Sequence, residues 1–469
     1  MNLLDQMRAA IGDPYVLTGD DTAKWVSDWT GAYSSAPMAV LRPKDTNEVS
    51  AIIKIAAASK TPIVPVSGNT GLNGGAQSQG SLLLSVDRLN TIGEIDTQGR
   101  TATVGAGVIL SALHDASDAY DLIFPLTFGA RGSAMIGGVL STNAGGSNVL
   151  RYGNTRDLVL GIEAVMANGD IMNLMGALHK DNSGLNLKHL LIGAEGVLGI
   201  ITKAVVKLFP KPKAYATAMV ATPSLHEALD VLHAVQEATG GAVEAFEYMP
   251  RAYIDGHLAL HPDAKPPFED HHDVNILIEV GTTSTALANP TAQGSIPLTT
   301  LLETTLGQLF ENETVIDAVI AQNETQRATM WARREAAAEI AFSKRPLVDT
   351  DIAVALTDVP VFLTRMTARL ATIDPDATEL VVAHLGDGNI HYTAYPPQDD
   401  DALKRAIKEA VEDEVQTLRG SFSAEHGVGI SKLETMQRRK DPTALAAMRA
   451  IKTALDPDNI LNPGKTIPH

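Results

Sequence analysis

Cysteine is absent from this chain of 469 residues. Its absence excludes disulfide bridges, thiolate nucleophiles, cysteine-ligated zinc and iron–sulfur clusters. Any redox chemistry must therefore use a bound organic cofactor, or a metal held by histidine and carboxylate side chains. Long apolar runs are absent too, because none reaches the roughly 18 residues that cross a bilayer, so we expect no integral membrane contact. The first residues, MNLLDQMRAAIG, lack the pattern of a secretory signal.

Positive charge is scarce in the sequence. The chain has 37 Lys and Arg against 55 Asp and Glu, which gives a net charge of −18. Such a surface repels nucleic-acid phosphates and anionic lipids, so we expect no nucleic-acid partner and a small soluble substrate instead. The expected location is the cytoplasm, with a peripheral position at a membrane left open.

Short strands and helices alternate along the chain and predict an α+β fold. A proline-rich break, FPKPK at residues 209–213, predicts a domain boundary. Beyond this break, helical periodicity predicts one long helix over Glu311–Ala341.

Three glycine-rich segments stand out in the first part of the chain: Ser67–Gly75, Gly129–Gly153 and Gly193–Lys203. Backbone amides of such loops can converge on an anion. Neither the GxxxxGK[ST] nor the GxGxxG phosphate fingerprint is present. One such loop alone is typical of a tight surface turn, but three together predict a large, extended cofactor that carries phosphate.

Histidine and glutamate supply the best candidate metal ligands. In HLGDGNIH, a two-residue turn at Asp387–Gly388 would place His384 directly opposite His391, with Cβ atoms about 4.5–5.5 Å apart. Glu425, within AEHGVG, is a third candidate, and two histidines with one carboxylate leave coordination positions open. Taken alone, the histidine pair is also typical of an ordinary hairpin.

The wording and order of several motifs resemble one family. They are PVSGNTGLNGG, GSAMIGGVLSTNAGGSNVLRYG, GAEGVLGIITK, HLGDGNIH, SAEHGVGISK and NPGK. They resemble the D-2-hydroxyacid dehydrogenases, a branch of the vanillyl-alcohol-oxidase flavoproteins that includes D-2-hydroxyglutarate and D-lactate dehydrogenases. The resemblance covers nearly the whole chain and is weakest at about residues 215–320.

This resemblance implies a fold with three parts. Residues 1–213 are expected to form a PCMH-type (p-cresol methylhydroxylase-type) FAD-binding domain of two subdomains. Residues 214–415 are expected to form a substrate-binding cap domain, an antiparallel sheet flanked by helices. Residues 416–469 are expected to form a C-terminal helical segment that packs back on the FAD domain.

The resemblance also implies two cofactors. FAD is expected to be non-covalent, because Asn69 stands where some relatives carry a tethering histidine and no cysteine is present. A divalent metal, zinc first and manganese second, is expected on His384, His391 and Glu425. The residues expected to contact FAD are Pro65, Ser67, Gly68, Asn69, Thr70, Gly71, Gly74, Gly75, Pro125, Gly132, Ser133, Gly137, Gly138, Thr142, Asn143, Gly145, Gly199, Ile200, Ile201, Glu425 and Asn462.

The implied reaction oxidises a D-2-hydroxy acid to the 2-oxo acid, with hydride transfer to flavin N5. Arg334 is expected to bind the C1 carboxylate, and His426 is expected to take the hydroxyl proton. Thr350 and Thr393 are further substrate-binding candidates. Asp387 and Asn389 are candidates for orienting the metal ligands.

Asp349 departs from the pattern, since D-2-hydroxyglutarate dehydrogenases resemble one another in a lysine at that position. The sequence therefore favours a monocarboxylic acid such as D-lactate, with D-2-hydroxyglutarate or D-malate as the alternative. A His/Glu metallohydrolase and an inactive flavin subunit are more remote alternatives. No nicotinamide fingerprint is present, so the expected electron acceptor is a quinone, an electron-transfer flavoprotein or oxygen. A homodimer is left open.

Overall fold

Three large β-sheets and one two-stranded sheet organise the protein in a computed structural model that describes residues 2–468. A four-stranded sheet has the order β1–β2–β4–β3, in which β2, β4 and β3 run parallel. Its elements, in chain order, are α1 (Leu3–Ile11), β1 (Val16–Leu17), β2 (Ala39–Leu41), α2 (Thr46–Ser59), β3 (Ile63–Val66) and β4 (Leu82–Ser85).

Helix α2 shows how the sequence sets these elements. The Asp45 side chain accepts a hydrogen bond from the Glu48 amide and begins the helix. Lys60, with a φ of 51°, ends it. The helix buries Val49, Ile52 and Ile53 at helical spacing against the sheet.

A five-stranded antiparallel sheet follows, in the order β5–β6–β10–β8–β9. A short separate pair joins β7 to β11. The elements of this part are β5 (Ile92–Asp96), β6 (Thr101–Gly105), α3 (Leu110–Asp118), β7 (Leu122–Ile123), α4 (Ile136–Thr142), α5 (Val149–Tyr152), β8 (Val159–Val165), β9 (Ile171–Leu174), α6 (Lys188–Leu191), β10 (Ile200–Lys207) and β11 (Phe209–Pro210).

The second half is built on a seven-stranded antiparallel sheet in the order β15–β12–β14–β13–β17–β18–β16. Its elements are β12 (Ala214–Ala221), α7 (Leu225–Thr239), β13 (Val243–Pro250), α8 (Arg251–Leu260), β14 (Val274–Thr282), α9 (Thr285–Ala288), α10 (Pro297–Glu311), β15 (Asp317–Ile320), α11 (Glu324–Glu335), α12 (Ala337–Ala341), β16 (Val348–Ala353), α13 (Val359–Ile373), β17 (Thr378–His384), β18 (Asn389–Tyr395) and α14 (Asp401–Thr417). Helices α15 (Leu433–Arg439) and α16 (Pro442–Leu455) follow.

This large sheet has two different faces. One packs its apolar residues against α7, α10, α13 and α14 in the largest core cluster. The other carries Met219, Leu277, Leu380 and Val382 and meets α8, α11 and α12 in a smaller cluster. The mixed fold predicted from the sequence, with an antiparallel cap sheet flanked by helices, is confirmed. The proposed boundaries at residues 213 and 415 stay predictions.

The single long helix predicted over Glu311–Ala341 is wrong. Helix α10 ends at Glu311, and the following chain forms β15 at the edge of the seven-stranded sheet. Asn323 then begins a new helix, α11, by accepting a hydrogen bond from the Gln326 amide. The edge strand β15 and the helix cap at Asn323 thus divide a segment whose periodicity predicts one helix.

The predicted register of the HLGDGNIH hairpin is also wrong. His384 pairs with Asn389, and His391 pairs with Val382. The turn spans Leu385–Gly388 rather than two residues, because the amides of both Asp387 and Gly388 donate to the His384 carbonyl. The register shifts by two residues, which keeps both histidines on the same face as diagonal neighbours.

The C-terminal part returns to the first sheet. Leu461 forms a parallel bridge with Ile63, the Ile63 amide donates to the Ile460 carbonyl, and the Asn462 amide donates to the Ile63 carbonyl. Lys452 on α16 donates to the Val197 carbonyl. Within residues 2–468 no helix combines the length and apolar character needed to cross a membrane.

Candidate active site

A cavity of about 1210 Å³ lies between the glycine-rich segments and the large sheet. Pockets for single drug-sized ligands hold roughly 300–1,000 Å³. This cavity therefore has room for an extended cofactor together with a small substrate. One wall is the loop Ser67–Gly75, a second is the segment Ile123–Asn148, and the third is the sheet face that meets α11.

The loop Ser67–Gly75 has the properties of an anion cradle. Among the described residues, no protein acceptor receives a hydrogen bond from the amides of residues 67–76. Gly68 packs so closely on the Ser133 carbonyl that a Cβ atom there would collide with it, whereas a Cβ on Gly71 would enter open space. Free amides beside such a space fit the pyrophosphate of FAD.

Most residues expected to contact FAD line the cavity. These are Pro65, Ser67, Gly68, Asn69, Thr70, Gly71, Gly74, Gly75, Pro125, Ser133, Gly138, Thr142, Gly145 and Glu425. Seven do not line it in this structure: Gly132, Gly137, Asn143, Gly199, Ile200, Ile201 and Asn462. Ile200 and Ile201 are buried in β10, paired with β8.

Two of these seven residues support the cavity from behind. The Asn143 side chain accepts a hydrogen bond from the Arg156 amide. The Asn462 side chain donates to the carbonyls of Gly75 and Glu195. Asn69 lies in the cavity wall, where its side chain donates a hydrogen bond to the Ser27 carbonyl.

The sheet face toward the cavity is a grid of side chains set by strand register. Asp351 on β16 pairs with His391 on β18, which pairs with Val382 on β17. One row further along, Asp349 pairs with Thr393, which pairs with Leu380. Successive rows on one face are about 7 Å apart.

Arg334 reaches this face from helix α11 and is only 7% exposed. Its Nε donates to the Glu247 carboxylate at 2.6 Å, and its Nη2 lies 3.4 Å from the His384 ring nitrogens. Burial alone would raise the pKa of Glu247, but Arg334 and His384 outweigh it and lower that pKa to about 2. Nη1 has no hydrogen bond within residues 2–468, so Nη1 and the second N–H of Nη2 remain for a carboxylate in the cavity.

Arg333, the neighbour of Arg334, points elsewhere. Its Nη2 donates to the Lys265 carbonyl at 2.8 Å, and it does not line the cavity. Consecutive helical residues face different directions. Only Arg334 of this pair is placed to bind a substrate.

Three imidazoles converge on one carboxylate oxygen. The Nε2 atoms of His384, His391 and His426 lie 3.9, 3.5 and 3.7 Å from Glu425 Oε1. Ligands that share one tetrahedral zinc are about 3.4 Å apart, given bond lengths near 2.1 Å. Candidate ligand atoms of Asp351, His391, Glu425 and His426 lie within 4.8 Å of one another. The donor set fits a divalent metal. It contains the predicted ligands His391 and Glu425, whereas the predicted ligand His384 is not in this group and approaches it only at Glu425 Oε1. Asp351 and His426 are further candidates.

Asp351 acts on this cluster mainly through the backbone. Its Oδ2 accepts hydrogen bonds from the amides of Ala424, Glu425 and His426 at 3.1, 3.0 and 2.9 Å. Burial alone would raise its pKa, but His426, Lys432 and His391 outweigh it and hold that pKa far below its usual range. Asp351 therefore stays ionised and fixes the loop that carries Glu425 and His426.

The two histidines of the hairpin differ in protonation. Burial lowers the pKa of His391 well below its usual value, so its ring is neutral, the form that binds metals. Burial also acts to lower the pKa of His384, but the Glu247 carboxylate, 2.9 Å from Nδ1, raises it to about 9 overall. A carboxylate on the far nitrogen is the usual support of a metal-binding histidine.

We expect metal affinity to rise with pH up to about 9. A metal on His384 must displace the proton that its ring carries below that pKa, so each pH unit lost should cost about tenfold in the apparent association constant. Zinc titration against a chromophoric chelator between pH 7 and 9.5 measures this slope. Glu247→Gln should move the upper break in the curve to lower pH, and an unchanged curve would contradict the role of Glu247.

The remaining candidate residues differ in whether they line the cavity. Thr393 lines the cavity and donates to Asp349 Oδ1 at 2.8 Å. Thr350 does not line it, because it alternates with Asp349 and Asp351 along β16 and so faces the other side of the sheet. Its hydroxyl donates to the Tyr392 carbonyl. Asp387 accepts from the Asn389 amide, and Asn389 donates to Asp351 Oδ1 at 2.9 Å. Asn389 thus supports Asp351, and Asp387 supports Asn389.

Comparison with known proteins identifies the family. Residues 37–175 match the FAD binding domain, and residues 211–466 match the C-terminal domain of FAD linked oxidases. A D-2-hydroxyglutarate dehydrogenase from Xanthomonas citri pv. viticola is 36% identical over 454 residues, covering 95% of this chain and 92% of the relative. The chain belongs to the FAD-linked oxidase family. It is a flavoprotein oxidoreductase of the D-2-hydroxyacid dehydrogenase type.

Other similar proteins agree with the assignment of this flavoprotein to the FAD-linked oxidase family. A D-2-hydroxyglutarate dehydrogenase from Stutzerimonas stutzeri is 33% identical over 99% of the chain and 98% of its own length. The structure of p-cresol methylhydroxylase with substrate bound gives a TM-score of 0.75 at 16% identity, covering 99% of this chain and 96% of that one. An alkyldihydroxyacetonephosphate synthase gives 0.73 at 16% identity, covering 98% and 85%. These structures share the fold.

Sequence reasoning missed Glu247 and Glu195 in this flavoprotein. Glu247 is a buried acid inside the apolar strand β13, which is itself a signal, since such acids need partners. The Glu195 carboxylate accepts from the amides of Val428 and Gly429 and from the Thr466 hydroxyl. It thereby joins the third glycine-rich segment to the loop that follows His426.

Proposed function

We propose that this flavoprotein oxidises a D-2-hydroxy acid to the 2-oxo acid and passes the electrons to an acceptor other than NAD. One observation carries the proposal. Arg334, Glu425 and three histidines converge on one region of a cavity whose other wall is the glycine-rich loop Ser67–Gly75. A carboxylate clamp and a proton acceptor within one small region are what the oxidation of a hydroxy acid requires.

The residues around the substrate position have different roles in this reaction. The free edge of the Arg334 guanidinium binds the C1 carboxylate with two parallel hydrogen bonds. His426 accepts the proton of the 2-hydroxyl group, since its Nε2 faces the cluster while the Asp351 carboxylate lies 3.8 Å from its Nδ1. Leu380 and Val382 form an apolar floor that keeps water from the substrate.

Two bound groups complete the site. FAD, when bound along the glycine-rich wall, supplies the hydride acceptor. A divalent metal, zinc in our proposal, would be held by His384, His391 and Glu425 and supply a Lewis acid that makes the hydroxyl more acidic. The acceptor that reoxidises the flavin is proposed to be a quinone, an electron-transfer flavoprotein or oxygen.

Two substrates compete within this proposal. The Asp349 carboxylate in the cavity wall, which has Thr393 as its hydrogen-bond donor, opposes a second carboxylate and favours a monocarboxylic acid such as D-lactate. The similarity to two D-2-hydroxyglutarate dehydrogenases favours D-2-hydroxyglutarate. Both share the C1 carboxylate and the 2-hydroxyl group that Arg334 and His426 would bind.

Anaerobic reduction of the bound flavin tests the function. The purified protein should lose its visible flavin absorption on addition of a D-2-hydroxy acid and keep it with the L-enantiomer. A panel with D-lactate, D-malate and D-2-hydroxyglutarate ranks the substrates. A flavin that no 2-hydroxy acid bleaches would refute the proposed function.

A further inference from the structure

Asp349 is an acid of the cavity wall to which the proposed reaction gives no task. It lies one row along the sheet face from Asp351 and His391, on the same side of β16. Its side chain is accessible from the cavity, while protein surrounds it on the other sides. It therefore faces whatever part of a substrate extends away from the reacting carbon.

Hydrogen bonding leaves one oxygen of Asp349 without a donor, although His426 and Lys432 lie near enough to act on its charge. Thr393 donates to Oδ1, and the structure gives Oδ2 no hydrogen bond within residues 2–468. No Lys or Arg side chain of these described residues forms an ion pair with it. Lys432, a nearby cation, lies 3.7 Å from Asp351 instead and donates to Ser423. A confined carboxylate with a free oxygen gains most from a hydrogen-bond donor on a ligand.

The path from the metal cluster to Asp349 is apolar. Val382 lies beside His391, and Leu380 lies beside Thr393 in the next row. The two rows are about 7 Å apart, which a short aliphatic chain spans. The face thus offers an anion clamp at Arg334, an apolar stretch, and an acceptor at Asp349.

We propose that Asp349 and Thr393 select D-2-hydroxy acids whose side chain ends in a hydrogen-bond donor, above all an ammonium group, and reject those that end in a carboxylate. This inference rests on the proposed function and specifies its substrate class. The substrate would have the shape of an ω-amino-2-hydroxy acid, bound through its carboxylate at one end and its ammonium at the other.

The test compares substrates that differ only at the far end. Five-carbon D-2-hydroxy acids that end in an ammonium, a methyl or a carboxylate group are added anaerobically to the flavin-loaded protein, with D-lactate as a reference that lacks a far end. The ammonium substrate should exceed the carboxylate substrate in kcat/KM by about tenfold or more, the effect of one charge-assisted hydrogen bond.

Variants locate the cause of that preference. Asp349→Lys should reverse the order of the ammonium and carboxylate substrates, and Asp349→Asn should bring the two within about threefold of each other. Each rate is divided by the D-lactate rate of the same protein, which removes any general effect of the substitution on the reacting centre. Glu324→Gln is the matched control, because it removes another negative charge from the cavity rim and should keep the wild-type order. Flavin content and melting temperature check that each variant folds.

The outcomes separate the two proposals. If D-lactate or the methyl substrate bleaches the flavin but the far end has no effect, the selection by Asp349 is refuted and the proposed function stands. A preference for the carboxylate substrate in the wild type also refutes the selection. If no D-2-hydroxy acid bleaches the flavin, both proposals fall.

Discussion

Replacement of Arg334 by alanine should lower kcat/KM for every D-2-hydroxy acid by about a thousandfold. Truncating one partner of a buried, hydrogen-bonded ion pair costs about 2–5 kcal/mol, and roughly 4 kcal/mol corresponds to that factor. The loss should fall on substrate capture, because Arg334 would hold the carboxylate before and during the reaction. Stopped-flow bleaching of the flavin at varied substrate concentration measures it.

The neighbouring arginine provides the control. Arg333 sits beside Arg334 in the chain but donates to the Lys265 carbonyl, so Arg333→Ala should keep kcat/KM within a few fold. Arg334→Ala alone leaves Glu247 buried without its cation, which threatens folding. The double variant with Glu247→Gln removes that charge. Glu247→Gln alone, which also affects His384, is its reference, and the double variant should lose further activity relative to it. Equal activity of the two single arginine variants would contradict the role of Arg334.

Loss of the metal site should abolish turnover while the flavin stays bound. Glu425→Gln replaces the carboxylate on which three imidazoles converge. We expect zinc content to fall below one tenth of the wild-type level and substrate-driven bleaching to slow by about three orders of magnitude, since a metal contributes several kcal/mol to such a step. Elemental analysis and anaerobic bleaching measure the two effects.

A chelator separates the metal from the side chain. Wild-type protein treated with chelator should lose bleaching and regain it when zinc is added, whereas Glu425→Gln should not recover. Glu434→Gln on the exposed side of α15 is the matched substitution and should behave as wild type. Bleaching that persists in metal-free wild-type protein would contradict the metal's role.

The glycine-rich wall was the part of the site most accessible to sequence reasoning. Its glycines and small polar residues lie in continuous segments, so their shared purpose shows in the local sequence. The same holds for His384 and His391, which one short hairpin brings together. Their exact pairing was mispredicted because a two-residue turn and a four-residue turn keep the same face toward the cavity.

Long-range partners were the part that local sequence does not reveal. Arg334 meets Glu247 across 87 residues, and Asp351 meets the His426 amide across 75. Such pairs depend on the order of strands in the seven-stranded sheet. In this sheet β13 and β17 are neighbours although they are far apart in sequence. Periodicity identifies each strand but not its neighbours.

The bridge between Leu461 and Ile63 imposes an order on the making of this protein. Strand β3, which leads into the loop Ser67–Gly75, pairs with Leu461, which lies about 400 residues further along the chain. At roughly 5–20 residues per second, the ribosome needs on the order of 20–80 s to produce that partner. Until then β3 keeps an open edge, and the loop lacks the Asn462 side chain that braces Gly75. The cavity wall formed by this loop is therefore completed late in synthesis, after the seven-stranded sheet has emerged.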